Sequence, residues 1–295
     1  MTIKVVVLGS GAALPSVERG LPAVGIRFDG EVLLFDCGEG TQRQMMRFGL
    51  SYAKVKAIFV THTHADHIAG LVGLTQTLDL IERKEPLLIF GPRGSAATME
   101  TMLSISGYGY NIVIEDIEAG FVYKGKGYSV KAFETEHSRA SIGYVFKENN
   151  RRNFKEKECK AMGINGVMFK ELEEKGEIEA NGKKIKYEDV SSPRKGVKIV
   201  YTGDCVPSEK TVEAAKGADL LIHEGTFAGD KEEKAVEHKH STVTGAAEIA
   251  KKAGVEKLVL THLSARYKEN APLEEEAKKV FENTVVAEDG MEFEF

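Results

Sequence analysis

Short runs of Val, Ile, Leu and Phe recur through the first third of the chain, at residues 3–8, 24–28, 32–36, 56–61 and 86–90, each bounded by Gly, Pro or polar turn residues. Between them, Thr41 to Phe48 and Ile68 to Ile81 carry apolar residues at helical spacing. The pattern predicts β-α units with polar residues gathered at strand ends. Runs at 128–134 and 141–146, joined through His137, predict antiparallel strands. The β-α texture resumes with strands at 197–201, 219–223 and 257–261 and helices at 208–216, 243–253 and 272–281, and Met291 to Phe295 reads as an edge strand.

Val60-Thr61-His62 ends a strand in the first half and Leu260-Thr261-His262 ends one in the second. Leu34-Phe35-Asp36-Cys37-Gly38 has a loose echo in Val200-Tyr201-Thr202-Gly203-Asp204-Cys205. Two β-α layers packed sheet against sheet, helices outside, would bring those ends into one cleft. Residues 147–196 break the texture: thirteen Lys or Arg and ten Asp or Glu leave few aliphatics, with helical pieces around 155–161 and 167–175. The segment is expected at the surface, either as a tolerated insertion or as an arm whose net +3 suits an anionic partner. The fold therefore reads as one 295-residue catalytic domain with 147–196 inserted, and no second folded domain is needed.

Composition narrows the function. With 40 Lys plus Arg against 45 Asp plus Glu the net charge is -5, which excludes a protein held on nucleic acid by bulk charge but leaves a locally basic face open. Cys37, Cys159 and Cys205 form no paired pattern, as suits a reducing cytoplasm. No apolar run approaches the ~20 residues that cross a bilayer, so no membrane partner is expected. Gly9-Ser10-Gly11 follows the first strand, but Leu14 stands where a dinucleotide fingerprint needs its last glycine.

The strongest chemical signal is His62-Thr63-His64-Ala65-Asp66-His67, which holds three of the eight histidines and four metal-ligand candidates between a strand and a helix. Imidazole and carboxylate suit Zn2+, with Mn2+ or Fe2+ as alternatives, and such a site needs partners from elsewhere. His137, Asp204 and His262 have the right settings. The expected division is His62, His64 and His137 on one metal, Asp66, His67 and His262 on the other, and Asp204 between them. Two metals roughly 3.5–4 Å apart suit in-line attack on a phosphodiester, and no Cys cluster supports a zinc-finger role. Asp36 ends a strand where its carboxylate can orient a ligand histidine, and His223-Glu224 can orient His240 or shape the metal surroundings. Thr61 and Thr261 precede ligand histidines, where their hydroxyls can reach across the site. Arg266 and Tyr267 follow His262, where Arg pairs with phosphate and Tyr stacks on a base. Cys37 and Cys205 lack a nucleophile's partners and are expected to be buried.

His62-x-His64-x-Asp66-His67 with distant His137, Asp204 and His262 resembles the metallo-β-lactamase superfamily. Leu8-Gly9-Ser10-Gly11 followed by Pro15, Phe35 to Gln44, Leu221 to Phe227, His240-Ser241-Thr242 and Leu260 to Tyr267 are similar to the ribonuclease Z family within it. The resemblance implies an α/β fold, an αββα sandwich with an inserted exosite arm. It also implies a zinc-dependent endoribonuclease that removes the 3′ trailer of precursor tRNA by activated-hydroxide attack, leaving a tRNA 3′-hydroxyl and a trailer 5′-phosphate. Asp66 is then both a metal ligand and catalytic, His240 assists the leaving group, two Zn2+ are bound per subunit, residues 147–196 clamp the tRNA, and the chain is a homodimer. That segment reads Gly163-Ile164-Asn165-Gly166-Val167-Met168 where the family often carries a Gly-Pro pair. The alternative is another enzyme of the superfamily, a small-molecule phosphodiesterase or an arylsulfatase-like hydrolase.

Overall fold

The computed structural model describes residues 2–138 and 140–295. Alternate residues of each buried strand face opposite ways, and the chain uses both directions. In the strand Glu31–Phe35, Val32 and Leu34 join an apolar cluster with Leu71, Leu74 and Leu78 of the helix Gly70–Leu80. Phe35 points the other way and meets Phe59, Tyr144 and Tyr201 at ring-centre distances of 5.3, 5.9 and 6.1 Å. Tyr144 and Tyr201 belong to strands of a second sheet, so an aromatic layer joins two sheets face to face.

The first seven-stranded sheet runs in the order Glu292–Glu294, Lys4–Gly9, Ala23–Phe28, Glu31–Phe35, Val55–Phe59, Leu87–Pro92, Ile112–Ile117. The second runs Thr284–Val286, Leu258–Thr261, Leu220–Glu224, Lys198–Tyr201, Ile142–Glu148, Tyr128–Glu134, Val122–Gly125. On the second sheet's outer face, Val243, Ala246, Ala247 and Ala250 of the helix Val243–Ala253 pack with Leu221, Leu258 and Leu260. The layers are helix, sheet, sheet, helix. The parallel neighbours Glu31–Phe35 with Val55–Phe59, and Leu220–Glu224 with Leu258–Thr261, place their C-terminal ends side by side.

The helical spacing from Ile68 to Ile81 is realised as the helix Gly70–Leu80, and the chain adds a separate short helix, Ala65–Ile68, before it. A close backbone approach accounts for the glycine here. A Cβ on Gly70 would lie 2.0 Å from the Gly38 carbonyl oxygen, and the Gly70 N–H donates to the Cys37 carbonyl at 2.9 Å. The metal-motif turn is thereby fastened to the loop after Phe35. The helix Ser95–Leu103, which the pattern did not announce, follows the Gly-Pro-Arg-Gly turn and buries Met99 and Leu103 in the first layer.

Two compact units divide the chain: residues 1–146 with 198–295, and residues 147–197. The smaller one has a core of its own, Cys159, Ile164, Leu172, Ile178, Ile185 and Val190, edged by Phe154, Phe169 and Tyr187. Few aliphatics suffice because the helices Glu156–Ala161 and Val167–Lys175 and the hairpin Glu177–Ala180 with Lys183–Lys186 each contribute one or two. Ile164 is among them, so the segment without a Gly-Pro pair is anchored by burial of an aliphatic side chain.

Candidate metal centre

Asp36 leaves the strand Glu31–Phe35 in the left-handed region, with φ 59°, which turns its carboxylate under the neighbouring strand's end. There it accepts the Thr61 N–H at 2.7 Å, the Thr61 hydroxyl at 2.9 Å, the Tyr201 hydroxyl at 2.8 Å and the Nδ1 of His67 at 2.8 Å. The Thr61 hydroxyl also lies 3.0 Å from His62 Nδ1. One buried carboxylate therefore fixes His67 directly and His62 through a hydroxyl, leaving both Nε2 atoms facing the cleft.

Glu224 does the same from the second sheet. Its Oε1 lies 2.8 Å from His240 Nδ1, and its Oε2 accepts the Thr226 hydroxyl at 2.6 Å, which in turn lies 2.9 Å from His262 Nδ1. His262, with φ 56°, also sits in the left-handed region. His137 Nδ1 is held by the Lys239 carbonyl at 2.8 Å.

These supports aim two groups of ligand atoms at Asp204. Its Oδ2 is 3.6 Å from the Nε2 atoms of both His62 and His137, and its Oδ1 is 3.3 Å from His67 Nε2 and 3.2 Å from His262 Nε2. His64 Nδ1 joins the first group, 3.0 Å from His62 Nε2 and 3.2 Å from His137 Nε2. Asp66 Oδ2 joins the second, 3.6 Å from His67 Nε2 and 3.4 Å from His262 Nε2, and accepts the Ala13 N–H at 3.0 Å. Within each group the potential ligand atoms all lie within 4.8 Å of one another.

Buried polar atoms without partners are costly in a finished protein. His67 Nε2 and Asp204 Oδ1 are two such atoms, and both face the second group. Nitrogen and carboxylate donors converging on two points, with orphaned atoms at the second, fit two divalent cations of the Zn2+ type. The electrostatics agree. Burial, with the charge of His67 next, holds His62 well below the usual histidine range, so it is neutral and free to ligate. Burial also opposes charge on His67, but Asp204 and Asp36 overcome it and raise the group well above that range; the same carboxylates favour a cation there.

His240 also lies near Asp204, which it could join with His262 in a third group of ligand atoms, and its Nδ1 lies 4.0 Å from Asp204 Oδ2 and 2.8 Å from Glu224 Oε1, so Glu224 orients the ring at the edge of the cluster. Burial works against its charged form, and the hydrogen bond and charge of Glu224 reverse that, raising its pKa above the ordinary value. Arg266 is exposed and reaches no ligand; its guanidinium lies 5.0 Å over Phe227, whose ring is 6.1 Å from His240, and its Nε donates to Ser264. The Tyr267 hydroxyl accepts the Ala228 N–H. His223 turns away from the cleft, with Nδ1 on the Glu224 carbonyl and Nε2 3.8 Å from Cys205 Sγ. Cys37 is buried, which pushes its thiol up to about 12 and leaves it no role as a nucleophile at neutral pH. A cavity of about 910 Å3 opens beside His64, lined by Thr63, Arg93, Ser95 and Ser138.

Sequence reasoning passed over Tyr201 as a partner of Asp36, Thr226 as the link from Glu224 to His262, and the Ala13 N–H on Asp66. Thr226 had a visible signal, lying two residues past Glu224 in His223-Glu224-Gly225-Thr226.

An αββα sandwich carrying this histidine and aspartate cluster at its strand ends defines a metallo-β-lactamase-type protein. Residues 189–263 match the family model described as beta-lactamase superfamily domain, and residues 3–155 match that described as anti-Pycsar protein Apyc1. The fold is shared with the metallo-β-lactamase fold protein YhfI from Bacillus subtilis, at TM-score 0.74 and 21% identity over all of both chains. Ribonuclease Z of Methanosarcina acetivorans is 45% identical over 99% of this chain and 98% of its own length. Human tRNase Z, short form, superposes with a TM-score of 0.70 at 31% identity, over 98% of each chain. The chain belongs to the ribonuclease Z family.

Proposed function

We propose that the protein is a zinc-dependent endoribonuclease that removes the 3′ trailer of precursor tRNA, leaving a 3′-hydroxyl on the tRNA and a 5′-phosphate on the trailer. The observation that carries this reading is the double set of ligand atoms around Asp204 with the His240–Glu224 pair beside it, in a chain of this family. His62, His64 and His137 would hold one Zn2+ and Asp66, His67 and His262 the other, with Asp204 serving both. When bound, the metals supply Lewis acidity and lower the pKa of water at neutral pH.

The chain's own groups do the rest. Asp36 and Glu224 keep the imidazoles in one tautomer and orientation. His240 gives its Nδ1 proton to the bond with Glu224 and presents its ring to the departing 3′ oxygen, to which it donates a proton, a contribution of ~10²-fold or more. Arg266, stacked on Phe227 next to His240, is placed to pair with a phosphate of the strand. Residues 147–196 would bind the tRNA, supported by their thirteen basic residues. We further propose a homodimer, to which Leu80, 80% exposed at the end of the helix Gly70–Leu80, offers apolar surface. Among the described residues no helix is long and apolar enough to cross a membrane, and three unpaired, buried cysteines support a cytoplasmic setting.

Incubation of the Zn2+-loaded protein with a 3′-extended precursor tRNA should yield a single cut, with the end groups above by phosphatase and ligase mapping. His64→Ala and Asp66→Ala should abolish it. Hydrolysis of small phosphodiesters without any cut in precursor tRNA would instead favour the small-molecule enzymes of the same superfamily.

A further inference from the structure

We propose that the two halves of the cluster bind cations with unequal strength, the Asp66–His67–His262 half filling first, and that Asp36 sets this order as a positioning residue acting through His67. The inference rests on the reading of the cluster as a two-metal site.

The halves differ in charge and in support. The Asp66 half has a carboxylate of its own and a share in Asp204; the other half has only the share in Asp204. A buried carboxylate stands directly behind His67, whereas His62 reaches the same Asp36 only through the Thr61 hydroxyl, and His137 is backed by a neutral carbonyl. A carboxylate hydrogen-bonded to a ligand imidazole makes that imidazole the stronger donor. Tyr201 and Thr61 hold Asp36 in place, so its charge reaches His67 directly and His62 only through the intervening hydroxyl.

The ligands also differ in freedom. His67 is 0% and His262 4% exposed, and the two orphaned atoms, His67 Nε2 and Asp204 Oδ1, both face this half. His64 is exposed, and its second ring nitrogen makes no hydrogen bond among the described residues. Its Nδ1 meets only His62 and His137, ligand atoms that a cation in that half would take over, so the cation itself must then fix the ring, which costs affinity. One half is built in advance and the other is completed on binding.

The test is titration of metal-stripped protein with Zn2+ against a competing chromophoric chelator, repeated with Co2+ read by its visible absorption. The wild type should bind two cations in steps at least about tenfold apart. Asp36→Asn should weaken the tighter step by about 10–100-fold and the weaker one much less, since loss of such a partner costs that much in metal affinity. His64→Ala should leave the tighter step and its Co2+ spectrum unchanged while removing the weaker one. Two equivalent steps in the wild type, a larger effect of Asp36→Asn on the weaker step, or loss of the tighter step in His64→Ala would overturn the proposal. Should Asp36→Asn not fold, the wild type and His64→Ala decide. Two cations bound in this order by a protein that does not cut precursor tRNA would refute the substrate reading alone; binding of a single cation would refute the two-metal reading and this inference with it.

Discussion

Two buried acidic residues orient the imidazoles of the site. Asp36 stands behind His67 and, through Thr61, His62; Glu224 stands behind His240 and, through Thr226, His262. Each is a buried carboxylate that sends its charge to one imidazole directly and to another through a hydroxyl. The Glu224 arm has a kinetic signature. A general acid works while protonated, so the rate falls as pH rises through its pKa, and the Glu224 charge raises that pKa in His240. Glu224→Gln keeps an oxygen for the His240 and Cys205 N–H groups but removes the charge. Its alkaline limb in kcat should therefore move to lower pH, with kcat at neutral pH reduced about 10-fold to 100-fold. A pH–rate profile with unshifted alkaline limb would mean that His240 does not act as the acid.

Elements bring these residues together by ending at the same edge of two facing sheets. The fastening of the metal-motif turn to the loop after Phe35 depends on Gly70, so Gly70→Ala should lower stability by about 1–3 kcal/mol, as overpacking does. Thermal melts should show a lower midpoint, and Zn2+ should be bound less tightly because His67 is three residues away. An unchanged midpoint would show that the loop yields at no cost. The same close approach explains what the sequence could and could not tell. Strands and helices with strong apolar periodicity stood out in the sequence, and the ligand histidines were legible because His62 and His262 follow such strands and His64 and His67 crowd the motif just after the first. The break at Ala69 was not, since the Gly70 N–H is taken by the Cys37 carbonyl of another segment. Tyr201 was hidden for a similar reason: its apolar strand pattern is satisfied by burial, and only the facing of the sheets puts its hydroxyl on Asp36. The helix Ser95–Leu103 lacks a strong apolar stripe, and its Asp116 cap comes from a separate strand, with Oδ1 accepting the Ala96 N–H at 2.8 Å.

For the whole molecule the question is how a chain of net charge -5 engages a polyanion. The acidic groups of the cleft, Asp36, Asp66, Asp204 and Glu224, would face divalent cations or histidines, which compensate them locally. Basic residues exceed acidic ones in the segment 147–196, which folds around its own core and can thus carry a charged surface without drawing on the catalytic unit for stability. Lys157, Lys160 and Lys183 are exposed on it. Changing all three to Glu turns the segment's +3 into −3 while leaving its buried aliphatics and every cleft residue in place. If this surface meets tRNA phosphates, KM for precursor tRNA should rise about tenfold or more, and the salt dependence of kcat/KM should flatten by about one unit of log–log slope for each phosphate that no longer has a lysine beside it. Hydrolysis of bis(p-nitrophenyl) phosphate, which has no tRNA body to grip, should keep its kcat and KM. Equal impairment on both substrates would point to a damaged fold, and full activity on both would move the tRNA-binding surface elsewhere on the protein. Only the split between large and small substrates fits a charge-based grip that is separate from the chemistry.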